Sequence, residues 1–488
     1  MSDFGDMNPD VFRKYGKQLI DWIADYLEQP SRYPVLSRVE PGEVKSQLPS
    51  APPASPESMD AILADFDNII VPGLTHWNNP GFFAYFGVSG PLPGVLAEML
   101  SAGINVNAMM WRTSPSATEL EEVVMNWLRQ MVGLPDTFEG VIMDTASIST
   151  LTAVAAAREA LNLRIREEGL AGRSDLPRLR MYTSEQSHSS VEKAGLVLGI
   201  GQAGVRKIEV DSEFRMKPDC LAAAIAEDRT GGWLPFFVCA TVGTTSTTSI
   251  DPVPAIADIC EREKLWLHVD GAYGGSAAIV PEMRYVLEGA ARADSIVINP
   301  HKWMFTQVDF SAYYTRRPDI QKRAFSILPE YLRTAEGDAN AVKNFMDYGV
   351  QLGRRFRALK FWFIVRTFGV DGLIGRIREH IRMAHGLAEW IDASPDFERV
   401  APVPFSTVCF RAVPKNVPES QWDTLNEKLM AAVNATGEVF LSHTKLNDRY
   451  ILRLAIGNIR TEEKHVRRAW ELLNRECGKL SAEMAAAA

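Results

Sequence analysis

Cysteine is scarce: five residues in a chain of 488, namely Cys220, Cys239, Cys260, Cys409 and Cys477. Their number is odd and no two form a C-x-x-C pair, which argues against a disulfide framework or a zinc site. Long apolar runs are also missing. Stretches such as FFVCATVG and KFWFIV fall well short of the roughly 18 residues that span a bilayer. The N-terminus, MSDFGDMNPDVF, is polar and has no signal-peptide core. No arm or stripe is strongly basic, and the net charge is −9, so nucleic acid is not an expected partner. What remains is a soluble protein of a reducing compartment, the cytoplasm. With 46% hydrophobic and 23% charged residues, the chain is globular and long enough for about three structural units.

Residues 8–28, NPDVFRKYGKQLIDWIADYLE, carry a helical apolar period with Asn8 as cap and Pro9 in the first turn. Pro49, Pro52, Pro53 and Pro56 make residues 48–58 an extended connector lying on another surface. A helix on such an arm has no core of its own and must dock on the main body or on a second subunit. From about residue 120, short apolar runs alternate with helical stretches. GVIM (140–143), RLRMYTS (178–184), PFFVCATVG (235–243), LWLHVDG (265–271) and SIVINP (295–300) read as strands of a mainly parallel sheet. Residues 352–369 read as a long helix leaving this domain. FSTVCFRAV (405–413) and YILRLAIG (450–457) then read as strands, residues 462–477 as a closing helix, and the alanine-rich end as frayed.

Ligands of parallel sheets sit at the carboxyl ends of the strands. There SIVINPHKWM places Lys302 at the end of a buried strand. An ammonium is costly to bury, and an imine with an aldehyde relieves the cost; a lysine snorkelling to the surface is the plain alternative. LWLHVDGAYGG ends a second strand on Asp270, followed by small residues that leave room for a flat ligand; a turn-capping aspartate is the alternative. DTASIST (144–150) offers hydroxyls and N–H groups at a helix start, a seat for phosphate or simply a helix cap. His188 in SEQSHSS and the hydroxyl-rich turn ATVGTTSTTSIDP (240–252) follow two more strands. A phosphate seat, a flat stacker, a carboxylate and a lysine at five strand ends are the equipment for pyridoxal 5′-phosphate (PLP).

In these motifs, together with SPSATELE (114–121) and LGRRFRALKFW (352–362), the chain resembles the PLP-dependent aromatic-L-amino-acid decarboxylases, the group II amino-acid decarboxylases, over nearly its whole length. The resemblance implies an α/β fold of PLP-dependent transferase type I, with a seven-stranded, mainly parallel sheet and helices on both faces. A helical dimerisation arm (1–91), a large PLP-binding domain (92–362) and a small C-terminal α+β domain (363–488) follow from it, as does a homodimer with the site at the subunit interface. Lys302 is implied as the Schiff-base lysine, Asp270 as the partner of the pyridine nitrogen, Ala272 under the ring and His188 stacked above it, touching the substrate carboxylate. Thr245 matches a threonine near the ring; Thr145, Ala146, Ser147, Asn299 and His301 match phosphate contacts. The segment SILPEYLRTAEGD (326–338) is the implied lid, with Tyr331 as proton donor; related aldehyde synthases carry Phe there and divert the reaction to oxidation. Trp77, Tyr85, Phe86, Val88, Asn107, Met109 and Gly353 are the implied substrate wall, beside an aromatic-rich stretch including Phe82 and Trp111. Gly87-Val88 stands where animal relatives have Pro-Thr, and Asn107 and Met109 where they have an aliphatic and an aromatic residue. Gly353 matches the glycine of plant relatives that act on indoles, where phenolic specialists have serine, although animal enzymes for catechols share it. Arg453 lies near the site in relatives, with a structural salt bridge as the plain alternative. The implied activity is decarboxylation of an aromatic L-amino acid to its amine and CO2. The runner-up is a PLP-dependent aromatic aldehyde synthase. A decarboxylase of another amino acid, such as glutamate or histidine, is a same-fold rival, with the aromatic wall and the lack of a basic cluster arguing against glutamate, and a nicotinamide oxidoreductase lacks its G-x-G-x-x-G signature.

Overall fold

The computed structural model describes residues 5–327, 329–339 and 341–487; of Tyr331, Asp338 and Ala487 it describes the backbone only. The arm begins with a helix over Pro9–Glu28. Asn8 caps it, its side chain accepting the Asp10 N–H at 2.8 Å, as the sequence indicates. One face packs inward. Trp22 stacks on Tyr26 with centroids 5.3 Å apart and donates to Asp67 at 2.8 Å. Val11, Phe12, Leu19 and Ile20, further toward its N-terminal end, stay exposed in this chain. The connector over 48–58 forms neither helix nor strand, as its prolines dictate, but it does not lie on another surface of this chain: it is exposed along its whole length.

The large sheet has seven strands: β1 (Glu139–Met143), β2 (Arg178–Ser184), β3 (Val205–Ile208), β4 (Trp233–Thr241), β5 (Trp266–Asp270), β6 (Ser295–Ile298) and β7 (Ser311–Thr315). Their order is β1-β7-β6-β5-β4-β2-β3. Only β7 runs against its neighbours; the remaining pairs are parallel. Both faces are buried, which is why the strands read as continuous apolar runs. Phe237 and Cys239 of β4 face the helix Ala146–Ala160. Val238 and Ala240 face the opposite core, with Val124 and Leu128 of the helix Pro115–Val132. Two strands escape the sequence reading. β3 is an edge strand on which only Ile208 is fully buried, and β7 has the mixed composition SAYYT despite complete burial.

The second sheet is antiparallel: β8 (Phe397–Arg399), β9 (Thr407–Ala412), β10 (Ser442–Leu446) and β11 (Arg449–Ala455), in the order β10-β11-β9-β8. Helices over Trp422–Ala435 and Glu463–Ala487 supply its core partners Leu425, Leu429, Val466 and Leu473. The closing helix runs into the alanine-rich end, because alanine is the best helix former and nothing there stops it.

The expected helix over 352–369 is displaced. It starts at Ala358 and reaches Asp392, interrupted at Gly369, whose φ of 66° and ψ of 168° are not helical. Residues before Ala358 are held by their arginines instead. Arg354 donates to Glu121 and to the Ile142 carbonyl, both at 2.7 Å, and Arg357 grips Asp309 through two 3.0 Å bonds. A boundary at 362/363 therefore falls inside a helix that both sheets share. Among the described residues, no helix is long and apolar enough to cross a membrane.

Candidate active site

The carboxyl ends of β4, β5 and β6 open onto a cavity of about 420 Å³. Lys302 lines it from the short helix Pro300–Trp303 that follows β6. Asp270, the last residue of β5, lines it too and is 5% exposed, as do Ala272, His188, Thr245 and Ala146. Tyr85, Phe86, Tyr273 and Arg453 line it as well, and so do Ser442, His443 and Thr444 of β10, where Ser442 pairs in register with Arg453 and accepts the Tyr85 N–H at 3.2 Å. The three β10 residues had no signal in the sequence, since SHTKL reads as polar surface.

Each group is held by its surroundings. Asp270 accepts the Ala272 N–H at 3.0 Å, which fixes the carboxylate and the turn beyond it together. His188 accepts the Ser190 N–H on Nδ1 at 3.2 Å, so the proton of the neutral ring sits on Nε2. Burial pushes its pKa down, Asp270 pulls against this and Lys302 adds to it. Burial likewise lowers the Lys302 pKa; Asp270 opposes that and Arg453 reinforces it. Gly243 lines the cavity with φ +91°, and a Cβ there would meet the Gly274 nitrogen at 2.9 Å, so only glycine fits the turn.

The phosphate seat is legible at the start of the helix Ala146–Ala160. The Thr145 carbonyl takes the N–H groups of Ile148 and Ser149. Those of Ala146 and Ser147 lie ahead of the first intrahelical bond and are left for an anion. Thr145 makes no side-chain cap bond, so its hydroxyl does not serve as the ordinary helix cap. Asn299 and His301 are buried beside Lys302. His301 accepts the Phe310 N–H on Nδ1 at 3.0 Å, leaving the proton on Nε2; burial, then Lys302, lower its pKa to about 3. The Asn299 Oδ1 accepts from Ser311, whose hydroxyl meets Ser149 at 2.9 Å. Ser149 and Ser311 thus fix the amide, and sequence reasoning missed both.

Other expected wall residues lie elsewhere in this chain. Trp77 stacks on Phe82 at 4.2 Å, behind Tyr85, and Val88 is half-buried; neither lines the cavity. Asn107, Met109 and Gly353 form a separate patch. The Asn107 Oδ1 accepts the Arg354 N–H at 3.0 Å, and a Cβ on Gly353 would lie 3.9 Å from the Asn107 amide nitrogen. Arg453 forms no ion pair among the described residues, against the salt-bridge alternative. Its Nε donates to the Ser246 carbonyl at 3.0 Å and another nitrogen to the Tyr85 carbonyl; Nη2 is buried without a partner. In the segment expected as a lid, Glu330–Leu332 forms a 3-10 turn, Leu332 packs with Met110 and Met346, and Arg112 pairs with Glu336 at 2.9 Å. The Tyr331 side chain and Leu328 lie outside what is described.

The donor set suits PLP: a lysine, a carboxylate fixed two residues before a small side chain, and unpaired N–H groups at a helix start. Comparison with known proteins agrees. Residues 41–413 match the pyridoxal-dependent decarboxylase conserved domain. The chain is 40% identical to tryptophan decarboxylase 2 of Oryza sativa subsp. japonica, over 98% of this chain and 97% of that protein. It is also 40% identical to phenylacetaldehyde synthase of Arabidopsis thaliana, over 97% of each. The crystal structure of Oryza sativa TDC with PLP and tryptamine superposes with a TM-score of 0.94 at 36% identity, covering 98% of this chain and 99% of that one. The chain therefore belongs to the pyridoxal-dependent decarboxylase family. Within that family it is one of the PLP-dependent aromatic-amino-acid decarboxylases that its motifs resemble.

Proposed function

We propose that this chain removes CO2 from an aromatic L-amino acid of the tryptophan, phenylalanine, tyrosine or dopa type, releases the aromatic amine, and works as a cytoplasmic homodimer. The observation that carries this is the convergence of Lys302, Asp270, His188, Ala272 and Ala146 on one cavity at the strand ends.

Lys302 would supply the amine that holds the cofactor aldehyde. Asp270 would keep a proton on the pyridine nitrogen, and His188, Ala272 and Thr245, which line the same cavity, would hold the ring. The N–H groups of Ala146 and Ser147, with Thr145, Asn299 and His301, would hold the phosphate. Bound PLP supplies the electron sink for the pair left behind when CO2 departs. The neutral His188 ring bears its proton on Nε2 and lends it to the substrate carboxylate as an orienting contact. Tyr331 returns a proton to the α-carbon, and the lid around it keeps water and oxygen out during that step.

The exposed apolar side of the Pro9–Glu28 helix, with Phe12 at 67% exposure, supports a wrapped isologous dimer. In that dimer the patch of Asn107, Met109 and Gly353 completes the cavity of the partner subunit, alongside Trp77, Tyr85, Phe86 and Val88. The division into a dimerisation arm, a PLP-binding domain and a small C-terminal domain is kept, with its second boundary moved to the break at Gly369. Five free cysteines, four of them buried, support a reducing compartment.

The aldehyde-synthase reading deserves a direct test, because a relative with that name is as similar as the tryptophan decarboxylase. Tyr331 favours the amine. Assays of CO2, amine, aldehyde, ammonia and peroxide on wild type and Tyr331→Phe separate the two. Wild type is expected to give amine and CO2 in equal amounts, and the variant to gain aldehyde and peroxide with consumption of oxygen. Peroxide as a main product of wild type would overturn the proposal.

A further inference from the structure

Phe86 sits where two cations meet one ring. The Arg453 guanidinium carbon lies 4.5 Å from its centroid and the Lys302 Nζ 5.1 Å. Both distances are inside the range of a cation–π contact. The ring is stacked on Tyr273, with centroids 4.0 Å apart and planes 19° off parallel. Tyr273 in turn stacks on Trp303 at 4.8 Å and 9°. Trp303 is the residue after Lys302, so the lysine backbone and the Phe86 ring rest on the same aromatic column.

The column has little freedom. The Trp303 indole N–H donates to His380 at 3.1 Å, and the Tyr273 hydroxyl meets Ser406 Oγ at 2.6 Å. Phe405 packs edge-on against both rings. Arg453 reaches Phe86 from β11 and also ties down the Tyr85 carbonyl, where the backbone has a φ of 54° that side chains rarely adopt. The distance between the Lys302 amine and the ring is thus set by packing on both sides.

We propose that Phe86 is a positioning residue for Lys302, its ring holding the ammonium in place whenever the amine carries no covalent partner. This goes beyond a place in the substrate wall. It explains how a lysine bonded for only part of each cycle returns to one location, and why an arginine sits so close to it: the guanidinium stacks on Phe86 rather than pairing with a carboxylate. Among the described residues, the charged and titratable groups facing Lys302 are Asp270, which favours the ammonium, Arg453, which disfavours it, and the histidines His188 and His301, whose pKa values are lowered. Phe86 adds the attraction of its π-face to that of Asp270.

The test uses the full-length chain freed of PLP. Trace acetic anhydride labels Lys302 in proportion to its free-base fraction, and the labelling of its peptide is followed across pH by mass spectrometry. Three replacements at position 86 are compared with wild type: Phe86→Leu, Phe86→Tyr and 3,4,5-trifluorophenylalanine. The fluorinated ring keeps the packing and weakens the π-face, so it carries the test if the leucine variant fails to fold. The labelling midpoint is expected to fall by about half a pH unit or more with leucine and with the fluorinated ring, and to stay in place with tyrosine. An unchanged midpoint with the fluorinated ring overturns the proposal, as does an equal fall with tyrosine. The consequence for turnover rests on Lys302 being the reactive amine. The midpoint does not, so failure of the proposed activity and failure of this inference are read separately.

Discussion

The strand-end half of the site and the outer wall differ in kind. Lys302, Asp270 and His301 sit on elements buried from both faces, and neighbouring polar groups are held in turn, as Asn299 is by Ser311 and Ser149. Asn107 and Gly353 are exposed in this chain, and the segment 326–338, the proposed lid, makes contacts such as Leu332 with Met110 and Arg112 with Glu336. The difference separates two tasks. The reaction needs groups fixed to fractions of an ångström, and the end of a core strand provides that. Substrate choice and lid closure need surfaces that move or vary, and exposed segments provide those.

The comparison breaks most sharply at Lys302. Lys302→Ala is expected to lower decarboxylation on the order of 10⁴-fold or more, read as CO2 release, because the covalent anchor is lost. Asp270→Asn leaves the cavity shape intact and removes a charge; a loss on the order of 10²–10³ in kcat is expected, with weaker retention of PLP on dialysis. A loss below tenfold in either would mean that the strand ends do not carry the chemistry.

A third prediction concerns the rigid half alone. Burial lowers the pKa of His301 to about 3 and of His268 and His380 to about 4. With folded values below the ordinary 6.5, the unfolded chain takes up their protons first as pH falls, so stability drops below pH 6.5. At pH 5 each of the three costs about 2 kcal/mol. Asp251, pushed up to about 6 by burial, acts in the opposite sense. The fold accepts its proton before the unfolded chain does, which returns about 1 kcal/mol at pH 5. The urea midpoint is expected to fall clearly between pH 7 and pH 5; an unchanged midpoint would contradict the neutral, buried state of these rings.

The smallest effect belongs to the outer wall. Gly353→Ser adds a side chain with room to spare, the nearest atom being 3.9 Å from the new Cβ. The ratio of kcat/KM for tryptophan to that for tyrosine is expected to fall by about tenfold with little change in CO2 yield. No change in that ratio would remove this patch from the substrate wall.

The same division explains what could be read from the sequence. Five strands of the large sheet announce themselves because burial on both faces makes their residues continuously apolar. INPHKW, LHVDGAYGG and the DTASIST turn stand out because polar groups directly follow such runs. β3, β7, β8 and β10 carry mixed composition and escape notice. The start of the long helix is misplaced since Arg354 and Arg357 are claimed by Glu121 and Asp309, contacts distant in sequence. The cavity lining contributed by β10 and the Ser149–Ser311 pair depend on tertiary packing alone. Arg453 looks like an ordinary strand arginine until the fold places it on Phe86.

The most direct measurement is a product balance with the PLP-loaded chain on tryptophan, 5-hydroxytryptophan, tyrosine, dopa and phenylalanine, recorded with the visible absorbance of the protein and of Lys302→Ala. The account predicts a visible band lost in Lys302→Ala and, for at least one of these substrates, amine and CO2 in a one-to-one ratio without peroxide. Aldehyde, ammonia and peroxide as the main products, or no visible band in the wild type, would contradict it.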